Sequence, residues 1–308
     1  MDRGDTLGTL LDRDKALLRE HLLESLSERV RDFRRASRRC RKRNSEQAVH
    51  HLRVQLRRLL ALFDLLACLL PETDLKQARK KVKKRLDDFD DLRDTHVQLI
   101  FTAGMLRDFP ELKPVHKKLQ KQEERLLQPA ARRARHCALR WLHDTKRRIK
   151  RHIKALFATR SVRVRPSQRI LQAVQTAFDR AGALRAQITA EDLTTIHRTR
   201  IAFKRFRYMI ELLQPLLPSV SAQQLVAMDA YQTMMGNIQD IGAFLDRLDG
   251  MIDDGKLKRG QLEGFRQVVL HRLTALVQAY LEAADELSAF WPAPETAVPA
   301  WRRAAAVA

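Results

Sequence analysis

Two stretches of this chain place cations at helical spacing with no acid among them. The first reads Val49-His50-His51-Leu52-Arg53-Val54-Gln55-Leu56-Arg57-Arg58-Leu59, and the second Ile196-His197-Arg198-Thr199-Arg200-Ile201-Ala202-Phe203-Lys204-Arg205-Phe206. A helix turns about 100° per residue, so His50, Arg53 and Arg57 share one sector, with Arg58 at its edge. His197, Arg200, Lys204 and Arg205 repeat the pattern, and Arg207 extends it. Like charges this close on a helix repel by a few tenths of a kcal/mol per pair, and an ordinary solvated face would interleave acids at i+4. A line of cations instead offers a linear polyanion a new donor about every turn, and arginine suits bidentate contact with phosphate. The two histidines can serve as neutral hydrogen-bond donors to phosphate, or as cations where a phosphate raises their pKa. Metal ligation is a third option, but neither has a His-x-x-x-His partner or an acid at ligand spacing, so no metal is expected.

The two lines belong to an internal repeat. His50, Arg53, Arg57 and Arg58 fall on His197, Arg200, Lys204 and Arg205 at a constant offset of 147. Downstream, Phe89-Asp-Asp-Leu-Arg-Asp94 falls on Met235-Gly-Asn-Ile-Gln-Asp240 at an offset of 146. The chain therefore reads as one duplicated domain over residues 8–289, its halves covering about 8–160 and 161–289. Asp94 and Asp240 are matched acids, either surface charge or groups that orient a stripe arginine. Leu60 stands opposite Arg207, so the first stripe is the thinner. Other basic blocks run through Arg31–Arg41, Lys76–Arg85 and Arg147–Lys154. Within the second block, Lys80 and Lys84 precede the Phe89 landmark and are added to the candidate site.

The elements that must position these residues are helical. Leu52, Leu56, Leu59 and Phe63 occupy the side of the first helix opposite its cations, as Phe203, Phe206 and Ile210 do on the second. Apolar spacing of three and four recurs almost throughout, predicting helices at 7–42, 46–69, 73–107, 112–127, 130–159, 167–185, 190–214, 221–250 and 256–289. Pro71, Pro110, Pro129, Pro166, Pro215 and Pro218 mark the joints, where a missing amide is tolerated. No alternating run is long enough for a sheet, and the fold class is all-α. The Pro- and Ala-rich segment at 290–308 reads as a mobile tail.

Composition narrows the partner. Among 308 residues, 59 Lys and Arg face 37 Asp and Glu, a net charge of +22, which calls for a polyanionic partner. Nucleic acid is the rival to a bare phosphate polymer, since the same field attracts both. Against it, aromatics are only 6% and do not interleave with the cationic lines, so no base-stacking platform is visible. No Gly-x-x-x-x-Gly-Lys-Ser/Thr, Gly-x-Gly-x-x-Gly or Gly-x-Ser-x-Gly motif occurs, and the stripes lack the clustered carboxylates of metal-assisted phosphoryl chemistry. The expectation is a binding protein with no catalytic residues and no cofactor. Cys40, Cys68 and Cys137 suggest neither a disulfide framework nor a zinc site. With no secretory apolar stretch and no run long enough to span a bilayer, a cytoplasmic protein without membrane association is expected.

His50-His-Leu-Arg-Val-Gln-Leu-Arg-Arg58 and His197-Arg-Thr-Arg-Ile-Ala-Phe-Lys-Arg-Phe-Arg-Tyr208, each followed by its Asp94 or Asp240 landmark, resemble the paired motif helices of CHAD domains. The resemblance covers nearly the whole chain, from about residue 8 to 289. It implies two antiparallel four-helix bundles related by pseudo-twofold symmetry, with basic residues lining a central groove. It further implies binding of inorganic polyphosphate and association with polyphosphate granules. Carried over by position, the binding residues are His50, Arg53, Arg57, Arg58, His197, Arg200, Lys204, Arg205 and Arg207. Asp90 departs from the glycine the family has at this landmark, whereas Gly236 keeps it.

Overall fold

The helical periodicity is realised as ten α-helices in a computed structural model that describes residues 3–135, 140–158, 166–217, 219–255 and 257–291. In chain order they are α1 (Arg3–Lys42), α2 (Glu46–Leu66), α3 (Glu72–Asp87), α4 (Asp90–Met105), α5 (Lys113–Arg135), α6 (Arg140–Ala158), α7 (Pro166–Arg185), α8 (Leu193–Leu213), α9 (Ala222–Asp253) and α10 (Arg259–Ala283). Short 3-10 turns cover Pro110–Leu112, Gln214–Leu216 and Ala284–Phe290. No strand occurs among the described residues, as the all-α reading expects.

Local chemistry sets the helix ends. The Ser45 hydroxyl accepts the Ala48 amide at 3.3 Å and opens α2; Asp192 accepts Thr194 N at 2.9 Å and opens α8. These caps satisfy amides that have no partner inside the helix. They hold the start of each cationic line a few residues before its histidine. Pro166 starts α7, where its fixed φ and missing amide do no harm. Gly255, at φ 68°, closes α9 in the left-handed conformation that glycine adopts without steric cost.

Three of the expected boundaries are wrong. The single helix predicted at 73–107 is broken at Asp88–Phe89 into α3 and α4, whereas its counterpart in the second half, α9, runs unbroken for 32 residues. Pro129, expected at a joint, lies inside α5; tertiary packing overrides the local cost of its missing amide. Trp291, expected to begin the tail, is buried and donates from its indole nitrogen to Gln175 Oε1 at 2.8 Å. Residues 292–308 of the expected tail, and Cys137, lie outside the described residues.

α2 is the hub of the molecule. It packs against α1, α3 and α4 of its own half, and against α7 and α8 of the other. Leu52, Leu56, Leu59, Leu62 and Phe63 of α2 join Ile196, Phe203, Phe206 and Ile210 of α8 in one apolar core. A second core forms where Leu112, Val115 and Leu119 meet Phe244 and Leu248 of α9 and Phe265 of α10. Burying the apolar side of α2 and α8 in a shared core leaves their cationic sides facing a common seam.

One polar pair within the larger core gives a stability test. Tyr231 is fully buried, and its hydroxyl donates to Ala284 O at 3.0 Å while lying 3.2 Å from the Tyr280 hydroxyl. Tyr231→Phe strips a buried carbonyl of its donor, so stability is expected to fall by about 1–3 kcal/mol, read as a lower melting temperature. An unchanged melt would mean that water replaces the hydroxyl.

Candidate functional site

The two cationic lines converge. The charges felt most strongly by Lys204 are those of Arg57, Arg200, Arg53 and Arg207, in that order, so cations from both repeats surround one amine. Burial, reinforced by these neighbours, pushes the Lys204 ammonium down to about 6. Arg57 is pushed down to about 10, first by burial and then by Arg53, and remains charged at neutral pH. Arg200 is lowered by burial as well, against the opposing pull of Asp240. No hydrogen bond or ion pair within contact distance engages Arg57, Arg200 or Lys204 among the described residues, and the buried Arg200 Nε has no acceptor. Two guanidiniums and a lysine amine on one seam, half-withdrawn from water and without hydrogen-bonded partners, form an arrangement that a bound anion relieves.

The remaining stripe residues are engaged differently. Arg58 pairs with Glu211 at 2.5 Å, and Arg205 pairs with Asp64 at 2.9 Å. These bridges are reciprocal: each crosses from one repeat to the other, and Asp64 and Glu211 are separated by the same 147 residues as Arg58 and Arg205. Asp64 also receives Arg79 of α3 at 2.5 Å. The edge arginines thus clamp α2 to α8 while Arg57, Arg200 and Lys204 stay unpaired. Arg207 is bound to Asp229 at 2.8 Å and to Gln232 Oε1 at 3.0 Å, its guanidinium 4.8 Å from the Tyr208 ring centre. Those contacts fix its direction and leave it close enough to act on Lys204.

Arg53 is the most buried member of the set, 6% exposed. It donates to Leu86 O at 2.9 Å and forms an ion pair with Asp90. Both partners flank the break between α3 and α4, where Leu86 has lost its regular intrahelical donor. Its counterpart Arg200 instead lies over Gly236 of the unbroken α9: a Cβ there would come 3.5 Å from Arg200 Nε.

His50 is exposed and His197 half-buried. Both imidazoles are held below their usual pKa, first by burial, and Arg93 adds to the effect at His50. They are therefore neutral at physiological pH in the unliganded protein, able to donate one hydrogen bond. Arg93 pairs with Glu46, and Gln239, the residue matching Arg93 at an offset of 146, hydrogen-bonds to His197. Asp94 and Asp240 have raised pKa values because burial disfavours their charge; Arg53 is the leading opposing influence on Asp94, and Arg200 on Asp240. Each acid thus faces its own repeat's first arginine, which favours the orienting reading over plain surface charge. Lys80 and Lys84 lie exposed on α3, and neither is among the leading charges felt by the central cations. The seam does not bring these two lysines together with the stripes.

Sequence reading missed the clamp acids Asp64 and Glu211. The signal was present: continuing the repeat alignment one turn past the last cation places one acid on the other. Among the described residues, no group of His, Cys, Asp and Glu is arranged to hold a metal ion, and no helix is long and apolar enough to cross a membrane.

Comparison with known proteins follows the same lines. The crystal structure of the CHAD domain from the plant Ricinus communis superposes with a TM-score of 0.64 at 20% identity, covering 89% of this chain and 91% of that one. At that identity the likeness speaks for the fold. No curated protein matches the chain. The CHAD domain family model matches residues 24–249, a span that contains both cationic lines and both Asp landmarks. This chain belongs to the CHAD domain family.

Proposed function

We propose that this protein binds inorganic polyphosphate along the seam between α2 and α8, as a binding module without a catalytic step, in the cytoplasm and at polyphosphate granules. The observation that carries this reading is the convergence of Arg57, Arg200 and Lys204 with no carboxylate in salt-bridge contact. Taking cations out of water and next to one another is costly, and a polyanion threaded through the seam offsets that cost while releasing its own counter-ions. In this reading α7–α10 form one four-helix bundle, and α1, α2, α3 with α4, and α5 form its pseudo-twofold mate. The reciprocal clamps Arg58–Glu211 and Arg205–Asp64 support that relation.

Salt dependence tests the mechanism. If three to five phosphates are neutralised, log affinity should fall by about 2–4 for each tenfold rise in salt, taking roughly 0.7–0.9 per phosphate from nucleic-acid behaviour. A flat response would remove the seam from consideration. Polyphosphate should also displace pre-bound single-stranded DNA, because the seam offers phosphate donors while its neighbouring aromatic, Tyr208, is buried and leaves no ring for bases to stack on.

Binding should take up protons. Lys204, at about 6 when unliganded, is largely neutral at pH 7.5, and a phosphate beside it restores the ammonium. Arg53, Arg57, Arg200 and Arg207 oppose the proton and Asp240 favours it; the ligand reverses that balance. Affinity should therefore decrease as pH rises from 6 to 8.5. Calorimetry in buffers of different ionisation enthalpy should register proton uptake at pH 7.5, and no uptake would show that Lys204 stays outside the ligand's reach. The same depression means that above pH 6 the unfolded chain binds a proton the folded chain lacks, so the contribution of Lys204 to unliganded stability grows with pH over that window.

A further inference from the structure

Arg53 and Arg200 occupy the same position in the two repeats, yet their surroundings differ at one residue. Beneath Arg200 the repeat has Gly236, with ordinary contact distance to the guanidinium and no charge. The matching position beneath Arg53 is Asp90, whose carboxylate pairs with it directly. Asp94 and Asp240 act on the two arginines alike and do not account for the difference. The break between α3 and α4 fixes the arrangement further, because Arg53 also donates to the Leu86 carbonyl there, which accepts the Phe89 amide at 3.2 Å as well. The Nε of each arginine is buried without an acceptor, but a phosphate approaching Arg53 must compete with a carboxylate in direct contact, whereas Arg200 feels its nearest carboxylate, Asp240, only through space.

We propose that Asp90 is a built-in anion that withdraws Arg53 from ligand binding, so that the polyphosphate chain is held off-centre by Arg57, Arg200 and Lys204. Asp90 is thereby an affinity-setting residue of the seam. The proposal rests on the polyphosphate reading above and makes the two repeats unequal partners: the second contributes Arg200 and Lys204, while the first contributes Arg57 and commits Arg53 to bracing the α3–α4 break.

The experiment is calorimetric titration of the full chain and its Asp90→Asn, Asp90→Gly and Gly236→Asp variants with long-chain polyphosphate, with a melting curve for each. Removing the carboxylate should strengthen binding about tenfold or more, the scale of one added charge-assisted contact. It should also steepen the salt slope by roughly 0.7–0.9. Gly236→Asp should weaken binding by a similar factor, since it places the same anion beneath Arg200. This variant leaves the α3–α4 break untouched, so it remains informative if the Asp90 variants melt early. If the wild-type chain ignores polyphosphate, the functional reading fails and the role of Asp90 falls with it. If the wild type binds and affinity is unchanged in folded Asp90→Asn and in Gly236→Asp, the seam binds polyphosphate but Asp90 does not govern it, and this inference is overturned.

Discussion

Replacing Arg57, Arg200 and Lys204 together with alanine is expected to lower affinity for long-chain polyphosphate about a thousandfold or more, with helix content intact. Each supplies a charge-assisted hydrogen bond worth roughly 1.5–3 kcal/mol, and a tenfold change in affinity corresponds to about 1.4 kcal/mol. Folding should survive because none of the three is engaged by another residue. Relieving their mutual repulsion should, if anything, raise the melting temperature. Arg58→Ala is the control. Its charge is already held by Glu211, so its loss should change affinity only a few-fold. The experiment separates the inner line from the clamp. A large loss with Arg58→Ala and a small one with the triple variant would mean that the ligand lies on the outer edge of α2 and not in the seam.

The second large effect concerns stability. Arg53→Ala is expected to destabilise the fold by about 2–3 kcal/mol, a melting-temperature drop of roughly 5 °C or more. The arginine is buried, and it satisfies both Asp90 and the Leu86 carbonyl at the α3–α4 break. Removing one member of a buried pair strands the other, although Asp90 is 44% exposed and regains part of its hydration. Arg200→Ala, at the matching position, should cost less stability, since it breaks no salt bridge or hydrogen bond and deprives Asp240 only of a through-space charge. Equal losses at the two sites would show that the repeats are energetically equivalent and that the break is not braced by Arg53.

That difference marks where the sequence was legible and where it was not. The all-helical class could be read because α2 and α8 carry apolar and cationic residues on opposite sides at a strict helical period. The repeat could be read because His50, Arg53, Arg57 and Arg58 recur at a single offset. The break at Asp88–Phe89 could not, since neither residue excludes a helix and the matching stretch of α9 continues through it. It is maintained by tertiary contacts, the bond from Arg53 to Leu86 and the salt bridge of Arg133 to Asp88, together with the local pair of Arg85 with Asp88. Pro129 misled for the opposite reason, because a proline that usually ends a helix is carried inside α5.

For the site, residue type identified the cations but not which of them are free. Arg57 and Arg58 are neighbours with the same charge, yet Arg58 is salt-bridged to Glu211 on the opposing helix and Arg57 is not salt-bridged, feeling Arg53 more strongly than any carboxylate. That partition depends on how α2 and α8 face each other, which one strand of sequence does not state. The depression of Lys204 is likewise a property of the assembled seam, for it requires arginines brought from residues 53 and 57 to an amine at 204.

The most direct measurement is calorimetric titration of the purified protein with long-chain polyphosphate, beside single-stranded and duplex DNA at physiological salt. Tight binding of polyphosphate with markedly weaker binding of both DNAs is the predicted result. Equal or stronger binding of DNA would contradict it, and would make the α2–α8 seam a nucleic-acid surface.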